Sequence, residues 1–340
     1  MLKAYIEKKI FKFKEPGGTS RGVLLEKVSF YIVIYNESTP EIKGVGECSI
    51  LPNLSPDDRP NLEEKLNWVA QNINSVKDEY HSVLQEWPAI IFAVETAFLD
   101  LKNGGKRIYF DSPFLTGGFK IPINGLIWMG DIETMQKRIE DKIAEGFRCL
   151  KLKIGALEFE KELELIAEIR KNFSEKELEI RLDANGAFDI NNVSNVLDKL
   201  APLSIHSIEQ PIKQGQWRDM KAVCEKSPID IALDEELIGV NDIDLKKELI
   251  KKLKPHYIIL KPSLHGGING ANEWISIAEK NSVKWWITSA LESNVGLEAI
   301  AQWSASLRVD VPQGLGTGQV FEKNIESNLK VENGMLFYSI

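Results

Sequence analysis

Five apolar runs in the middle of the chain each end in an ionisable residue with no obvious sequence neighbour to neutralise it. They are CLKLKIG with Lys151 and Lys153, IRLDANG with Asp183, SIEQP with Glu209, IALDEE with Asp234, and YIILKPS with Lys261. From Lys153 to Asp183 is 30 positions, then 26 to Glu209, 25 to Asp234 and 27 to Lys261. Each interval accommodates one strand and one returning helix, the repeat of a βα barrel. In such a barrel the carboxyl ends of the strands converge on one mouth. Three acids from consecutive strands would meet there, with lysines from the strands on either side.

Burying one unpaired carboxylate is costly, and three together repel unless a cation lies between them. Oxygen donors without Cys or His nearby favour a hard ion, Mg²⁺ first and Mn²⁺ second. Taken singly, each residue is equally well read as a strand-end cap or an exposed ion pair; five in register are not. A divalent ion held by Asp183, Glu209 and Asp234 could hold a substrate carboxylate and stabilise the enediolate that forms when the adjacent carbon is deprotonated. A base is also needed, and lysine serves only where burial or another cation lowers its pKa. Lys151 and Lys153, two apart on a strand, share a face and disfavour each other's charge. Lys261 enters from the far side. The lysines could act as base and acid, or one could act while the other supplies static charge.

The elements that must carry these residues can be read outward from them. A chain of 340 residues, 43% hydrophobic, exceeds the usual single domain, so one barrel plus one smaller domain is expected. Residues 5–13, 23–26 and 28–35 read as an antiparallel meander. GGTSRG joins its first two strands and places Arg21 on a short flexible arm that could close over an anionic ligand. GVGECSILPNLSPD follows another short strand and is loop-like. Leu62, Leu66, Val69, Ile73 and Val76 form a helical stripe, and Pro88 opens a second helix ending at Gly104-Gly105. From residue 121 strands and helices alternate: INGLIWM is the first apolar run, Asp131 can cap the next helix and Gly146 can stop it. KWWITSALES is the seventh unit, its Trp285 and Trp286 read as packing residues. After Ser306 the pattern supports at most a short, Gly-broken last strand. LKVENGMLFY in the tail, with an Asn-Gly turn signal, is expected to return to the first domain. The expected division is therefore an α+β domain over 1–115, completed by 316–340, and a barrel over 116–315.

A net charge of −8 without a Lys/Arg cluster argues against nucleic acid or an anionic membrane as partner. MLKAYIEKKIFKFKEP lacks the apolar core of a signal peptide, and no run approaches the roughly 20 residues of a membrane span. Cys48, Cys149 and Cys224 show no metal or CxxC spacing and read as buried thiols in a reducing cytoplasm. No protein partner is evident. His265 reads as an exposed loop histidine, and Ser/His/Asp catalysis lacks a G-x-S-x-G elbow.

The ordered set of Lys-x-Lys, Asp-x-Asn, Glu-Gln-Pro, Asp-Glu and a later Lys resembles the enolase superfamily, in its muconate-lactonizing branch. TSRGVL at Thr19, GVGECS at Gly44, RLDANGAF at Arg181, ILKPSLHGG at Ile259, SALESNVGL at Ser289 and GLGTGQVF at Gly314 are similar, within that branch, to the o-succinylbenzoate synthase family. The resemblance implies an α/β fold: a (β/α)₇β TIM-like barrel with an α+β capping domain. It implies Asp183, Glu209 and Asp234 as Mg²⁺ ligands, and a small carboxylate substrate. Lys153 would remove the proton α to the substrate carboxylate and then assist departure of a hydroxyl, Lys261 would stabilise the enediolate by its charge, and Lys151 would tune Lys153. Arg181 and Asn185 would support the site, Glu235 would orient a metal-site neighbour, Arg21 would belong to a mobile loop over it, and Ser289 and Ser293 would contact the substrate's distal carboxylate.

The nearest rival is an N-acylamino-acid racemase or dipeptide epimerase of the same superfamily, for which Lys153 and Lys261 would be bases on opposite faces. A dipeptide epimerase is expected to carry Asp-x-Asp at the eighth strand, and Asp310-Val311-Pro312 does not supply it. A Schiff-base aldolase using Lys261 leaves the three acids unexplained. A barrel that binds without turnover leaves the whole constellation unexplained.

Overall fold

The computed structural model describes residues 1–19 and 22–339. Alternating apolar residues at the start of the chain build an antiparallel sheet of β1 (Leu2–Thr19), β2 (Gly22–Asn36) and β3 (Thr39–Ser49). The separate strand expected over 23–26 is instead the first part of β2, because pairing with β1 continues to Thr19 opposite Gly22 past an irregularity between Lys12 and Gly17. GVGECS is likewise strand, and the loop begins only after it. Its glycines permit close approach: a Cβ on Gly44 would lie 2.0 Å from Ala97 O, and one on Gly46 1.8 Å from Ala93 O. The strand thus lies backbone to backbone against a helix.

That helix is the last of four, α1 (Leu62–Gln71), α2 (Ile73–Val76), α3 (Tyr80–Val83) and α4 (Pro88–Lys102). The stripe from Leu62 to Val76 is buried as expected, but in two helices meeting at Asn72. It packs with Phe30, Ile32 and Ile34 of β2 and with Ile90, Ile91 and Val94 of α4 in one core. Pro88 stands in the first turn of α4, and the Asp57 carboxylate accepts from Ala89 N and Ile90 N, both at 3.1 Å.

The second layer system begins with β4 (Ile121–Pro122) and β5 (Gly125–Ile127) and then alternates: α5 (Ile132–Ala144), β6 (Cys149–Lys153), α6 (Phe159–Asn172), β7 (Glu179–Asp183), α7 (Val193–Leu200), β8 (Ser207–Glu209), α8 (Trp217–Lys226), β9 (Ile231–Leu233), α9 (Ile243–Leu253), β10 (Tyr257–Leu260), α10 (Gly267–Lys280), β11 (Lys284–Ile287) and α11 (Asn294–Ser306). Strands β5 to β11 form one parallel sheet in sequence order. Asp131 caps α5 by accepting from Thr134 N at 2.8 Å, and Gly146 just beyond it has φ +84. The eighth position is two bridges rather than a strand: Gln313 meets Ile123 and Gly314 meets Thr288, while Gln313 Oε1 accepts from Ile287 N at 2.7 Å. The Gly-rich segment thus closes the barrel with a side chain standing in for part of the ladder.

Leu150, Leu152, Ile180, Leu182, Ile208, Leu233, Ile258 and Leu260 belong to the core between sheet and helices. Strand alternation turns Lys151, Lys153, Arg181, Asp183 and Glu209 the other way, into the barrel. Ala232, Tyr257, Ile259 and Trp286 form a separate small cluster that floors it. The tail divides between the two parts. Phe321 lies 5.3 Å from Phe11 and 5.0 Å from Phe13, whereas β12 (Leu329–Glu332) and β13 (Met335–Tyr338), joined at Asn333-Gly334, pair onto β4. The terminal hairpin therefore extends the barrel's entrance strand rather than the first domain. No helix among the described residues is long and apolar enough to cross a membrane.

Candidate active site

Parallel register does the positioning. Lys153 lies opposite Asp183, Asp183 opposite Glu209, and Glu209 opposite Ala232, so a lysine and two acids share one rung at the strand ends. Asp234 follows two residues after Ala232 on the same face. Lys261 follows β10, four strands from β6 in the order of the sheet and thus across the mouth.

The six charges meet in pairs. Lys153 Nζ lies 2.5 Å from Asp183 Oδ2, Lys151 Nζ is 2.9 Å from the same oxygen and 2.6 Å from Glu209 Oε2, and Lys261 Nζ is 2.5 Å from Asp234 Oδ2. All six side chains are buried. Burial alone lowers an ammonium and raises a carboxyl, and here neighbouring charges decide the net direction. Burial, aided by the charges of Lys151 and Lys261, wins at Lys153 and lowers its pKa against the pull of Asp183 and Glu209. At Lys151 and Lys261 burial acts the same way but the surrounding acids outweigh it and both are raised. Lysine charges override burial at Asp183 and Asp234 and hold them low; at Glu209 burial and the charge of Asp183 push the carboxyl up. The lysine assigned to proton transfer is thus the one moved toward neutrality.

Whether these acids suit a cation can be judged from their free valences. Glu209 Oε1 and Asp234 Oδ1 are buried and accept no hydrogen bond, while Glu209 Oε2 meets the Lys151 ammonium. Such orphaned oxygens are what a hard cation takes up. As they stand, no three His, Cys, Asp or Glu side chains among the described residues are gathered closely enough to hold one, because the lysine ammoniums lie between the acids. The donor set fits; the lysines would have to give way to it.

A ring of further residues fixes the reacting ones. Asn185, in the left-handed region at φ +46, turns Oδ1 to Lys153 Nζ at 2.9 Å and gives Nδ2 to Glu235 Oε1 at 2.9 Å. That links Glu235 through Asn185 to the lysine. Glu162 Oε1 accepts from Gly155 N at 2.9 Å and Leu157 N at 3.2 Å, anchoring the loop that follows Lys153. Gln210, at φ +40, accepts from Asp234 N and Glu236 N, both at 3.2 Å, and so ties the loop after β8 to that after β9. Neither Glu162 nor Gln210 was expected; the Gln of SIEQP stands beside a candidate ligand and was its only signal.

Other expected residues lie elsewhere. Arg181 is buried lower in the barrel, where it bonds Glu179 Oε1 at 2.6 Å and Pro312 O at 2.8 Å and its guanidinium carbon sits 4.2 Å from the Trp286 ring centre. It supports the floor, bonded to Glu179 and Pro312 rather than to the six charges. Ser289 lines the cavity and hydrogen-bonds Thr317. Ser293 does not: it caps α11, receives the Tyr31 hydroxyl at 2.8 Å and donates to Glu47 Oε2 at 2.6 Å, so it joins barrel to first domain. A serine at a helix start, three residues before Gly296, reads from sequence as cap or ligand contact alike. Arg21 lies outside the described residues. His265, expected on the surface, is buried at 1% exposure because the Gly-Gly turn after it folds α10 back over its ring.

The cavity encloses about 590 Å³ between barrel mouth and first domain. Lys151, Lys153, Asn185 and Lys261 line its deep end, Thr288, Ser289, Leu291 and Thr317 one wall, and Leu24, Leu51 and Leu54 of the first domain its roof. Asp310 and Val311 are exposed, away from that lining.

Residues 134–338 match the family described as Enolase C-terminal domain-like. The o-succinylbenzoate synthase of Desulfotalea psychrophila is 44% identical over 95% of this chain and 95% of its own. The crystal structure of MenC from the same organism superposes with a TM-score of 0.85 at 40% identity, covering 99% of both chains. A dipeptide epimerase from Enterococcus faecalis, solved as a complex with Mg and the dipeptide L-Leu-L-Tyr, superposes with a TM-score of 0.84 at 21% identity over 99% of this chain and 97% of that one, a likeness of fold.

Proposed function

The chain belongs to the enolase superfamily and, within it, to the o-succinylbenzoate synthase family, and from that premise we propose how its residues carry out the reaction. The reaction converts 2-succinyl-6-hydroxy-2,4-cyclohexadiene-1-carboxylate to 2-succinylbenzoate and water, a step of menaquinone biosynthesis. What carries the assignment of roles is the pair of lysines on opposite walls of one cavity with three strand-end acids between them.

Lys153 Nζ, lowered in pKa and directed by Asn185, takes the proton from the carbon α to the ring carboxylate, and the released electron pair moves into that carboxylate. The same ammonium then returns the proton to the departing hydroxyl, so the carbon–oxygen bond breaks to give water and an aromatic ring. Lys261, held charged by Asp234, faces the enediolate as fixed positive charge. Lys151, wedged between Asp183 and Glu209, adds its charge to the burial that lowers the pKa of Lys153. A hard divalent ion, Mg²⁺ before Mn²⁺, held by Asp183, Glu209 and Asp234, would supply further positive charge for the substrate carboxylate. Ser289 and Thr317 on the cavity wall offer hydroxyls to the succinyl carboxylate. The three cysteines are buried and free, in keeping with a cytoplasmic enzyme acting on a small soluble diacid.

The test is isotopic. Lys153→Ala is expected to abolish both dehydration and exchange of the substrate's α-hydrogen with D₂O while leaving the fold unchanged. Exchange persisting in that variant would hand the proton transfer to another group.

A further inference from the structure

Lys261 stands just past the end of β10, and its side chain reaches Asp234 at the end of the neighbouring strand β9. Its direction depends on its own backbone. Lys261 N donates to His265 Nδ1 at 3.2 Å. Lys261 O accepts from Leu264 N at 2.8 Å, and Pro262 O accepts from His265 N at 3.3 Å, which closes a tight 3₁₀ turn over Pro262–Leu264. The imidazole is wholly enclosed, its centre 6.3 Å from that of Trp274. On the far side of the turn, a Cβ on Gly270 would lie 1.9 Å from His265 O, so the first turn of α10 is seated on the histidine's carbonyl. The histidine is clamped from behind and holds the lysine in front.

Because the partner is a backbone N–H, Nδ1 must be the acceptor and the ring proton must sit on Nε2. We propose that His265, as the neutral Nε2–H tautomer, is a positioning residue that fixes the Lys261 backbone and so aims the Lys261 ammonium at Asp234 and the substrate. The inference deepens the o-succinylbenzoate synthase reading and rests on it for the substrate used below. Burial also pushes His265 down to about 3, so the ring stays uncharged wherever the enzyme works. An ammonium on four methylenes is sensitive to where its Cα points, and misplacing a charged group by about 1 Å can cost about 10²-fold in rate.

Two variants separate the acceptor from the ring. His265→Phe keeps the ring's volume against Trp274 but removes the acceptor. His265→Asn places an oxygen where Nδ1 was but gives up volume. Activity is expected to follow the acceptor and thermal stability the volume: the Phe variant loses about 10- to 100-fold in kcat at a near-constant KM, whereas the Asn variant stays within a few fold of the parent although it melts lower. Equal activity for Phe and parent, or a loss in both variants that tracks melting temperature, overturns the proposal. Nitrogen-15 NMR of the parent protein decides independently of activity: a deprotonated Nδ1 supports it and a protonated Nδ1 overturns it. Failure of the parent to consume the cyclohexadiene carboxylate would refute the functional reading and leave this tautomer measurement to judge His265. Should the Phe variant not fold, an Asn variant as impaired as Lys261→Ala would also overturn it.

Discussion

Lys151, Lys153 and Lys261 pair with Asp183, Glu209 and Asp234 in an interlocked set that offsets much of the repulsion expected of three converging acids, although Asp183 still pushes the Glu209 carboxyl up. The consequence for stability is asymmetric. Asp234→Asn strands the buried Lys261 ammonium, and breaking a buried pair from one side typically costs about 3 to 5 kcal/mol. Asp183→Asn strands Lys153 and leaves Lys151 with Glu209 alone. Glu209→Gln removes a carboxyl already pushed toward its neutral form and is expected to cost least. Urea denaturation in excess chelator should show that order, and an Asp234→Asn variant more stable than the parent would mean the pair is not holding the site together. At the reacting lysines the expectation is also unequal. Lys261→Ala should lose about 10²- to 10³-fold in rate, as for removal of one oxyanion-stabilising donor. Lys261→Arg, which keeps charge but cannot readily take a proton, should retain more. Arg and Ala equally inactive would make Lys261 a proton-transfer group.

Ser293 caps α11 and reaches Glu47, so Ser293→Ala should lower stability by about 1 kcal/mol and leave KM for substrate alone. Ser289→Ala, on the cavity wall, should raise KM with little loss of stability. The reverse result would restore Ser293 as a substrate contact. Glu95 of α4 caps α10 across the domain boundary, accepting from Ile268 N at 2.6 Å and Asn269 N at 3.1 Å. Burial outweighs those two donors and raises its carboxyl from 4.5 to about 7. Folding therefore takes up a proton between those values, so the stability that Glu95 contributes is largest at the acid end and falls as pH rises through the window. The difference in unfolding free energy between the parent and Glu95→Gln should favour the parent more at pH 5 than at pH 8. The opposite trend would mean that the α10 N-terminus holds the carboxylate charged.

Across the whole molecule, first domain and barrel are joined by buried polar groups as well as by apolar packing. Tyr31 Oη donates to Ser293 Oγ at 2.8 Å, Ser49 Oγ to Ala290 O at 3.3 Å, Ser293 N to Glu47 Oε1 at 2.8 Å, and Gly296 N to Glu47 Oε2 at 3.0 Å. None of this was legible in the sequence, because each partner lies far along the chain and a lone Glu47 in a strand reads as surface. The barrel was legible, since five strand ends repeat at nearly equal intervals and register alone brings Lys153, Asp183 and Glu209 to one rung. The eighth strand was not, because Gln313 replaces part of its ladder with a side chain, nor was the burial of His265, which depends on how α10 folds back. All of these features serve one reaction, the dehydration of a cyclohexadiene carboxylate. Purified protein with Mg²⁺ and 2-succinyl-6-hydroxy-2,4-cyclohexadiene-1-carboxylate should extinguish the diene absorbance, and chelator should stop the loss. A stable diene signal, with racemisation of an N-succinyl amino acid by the same preparation, would contradict the account.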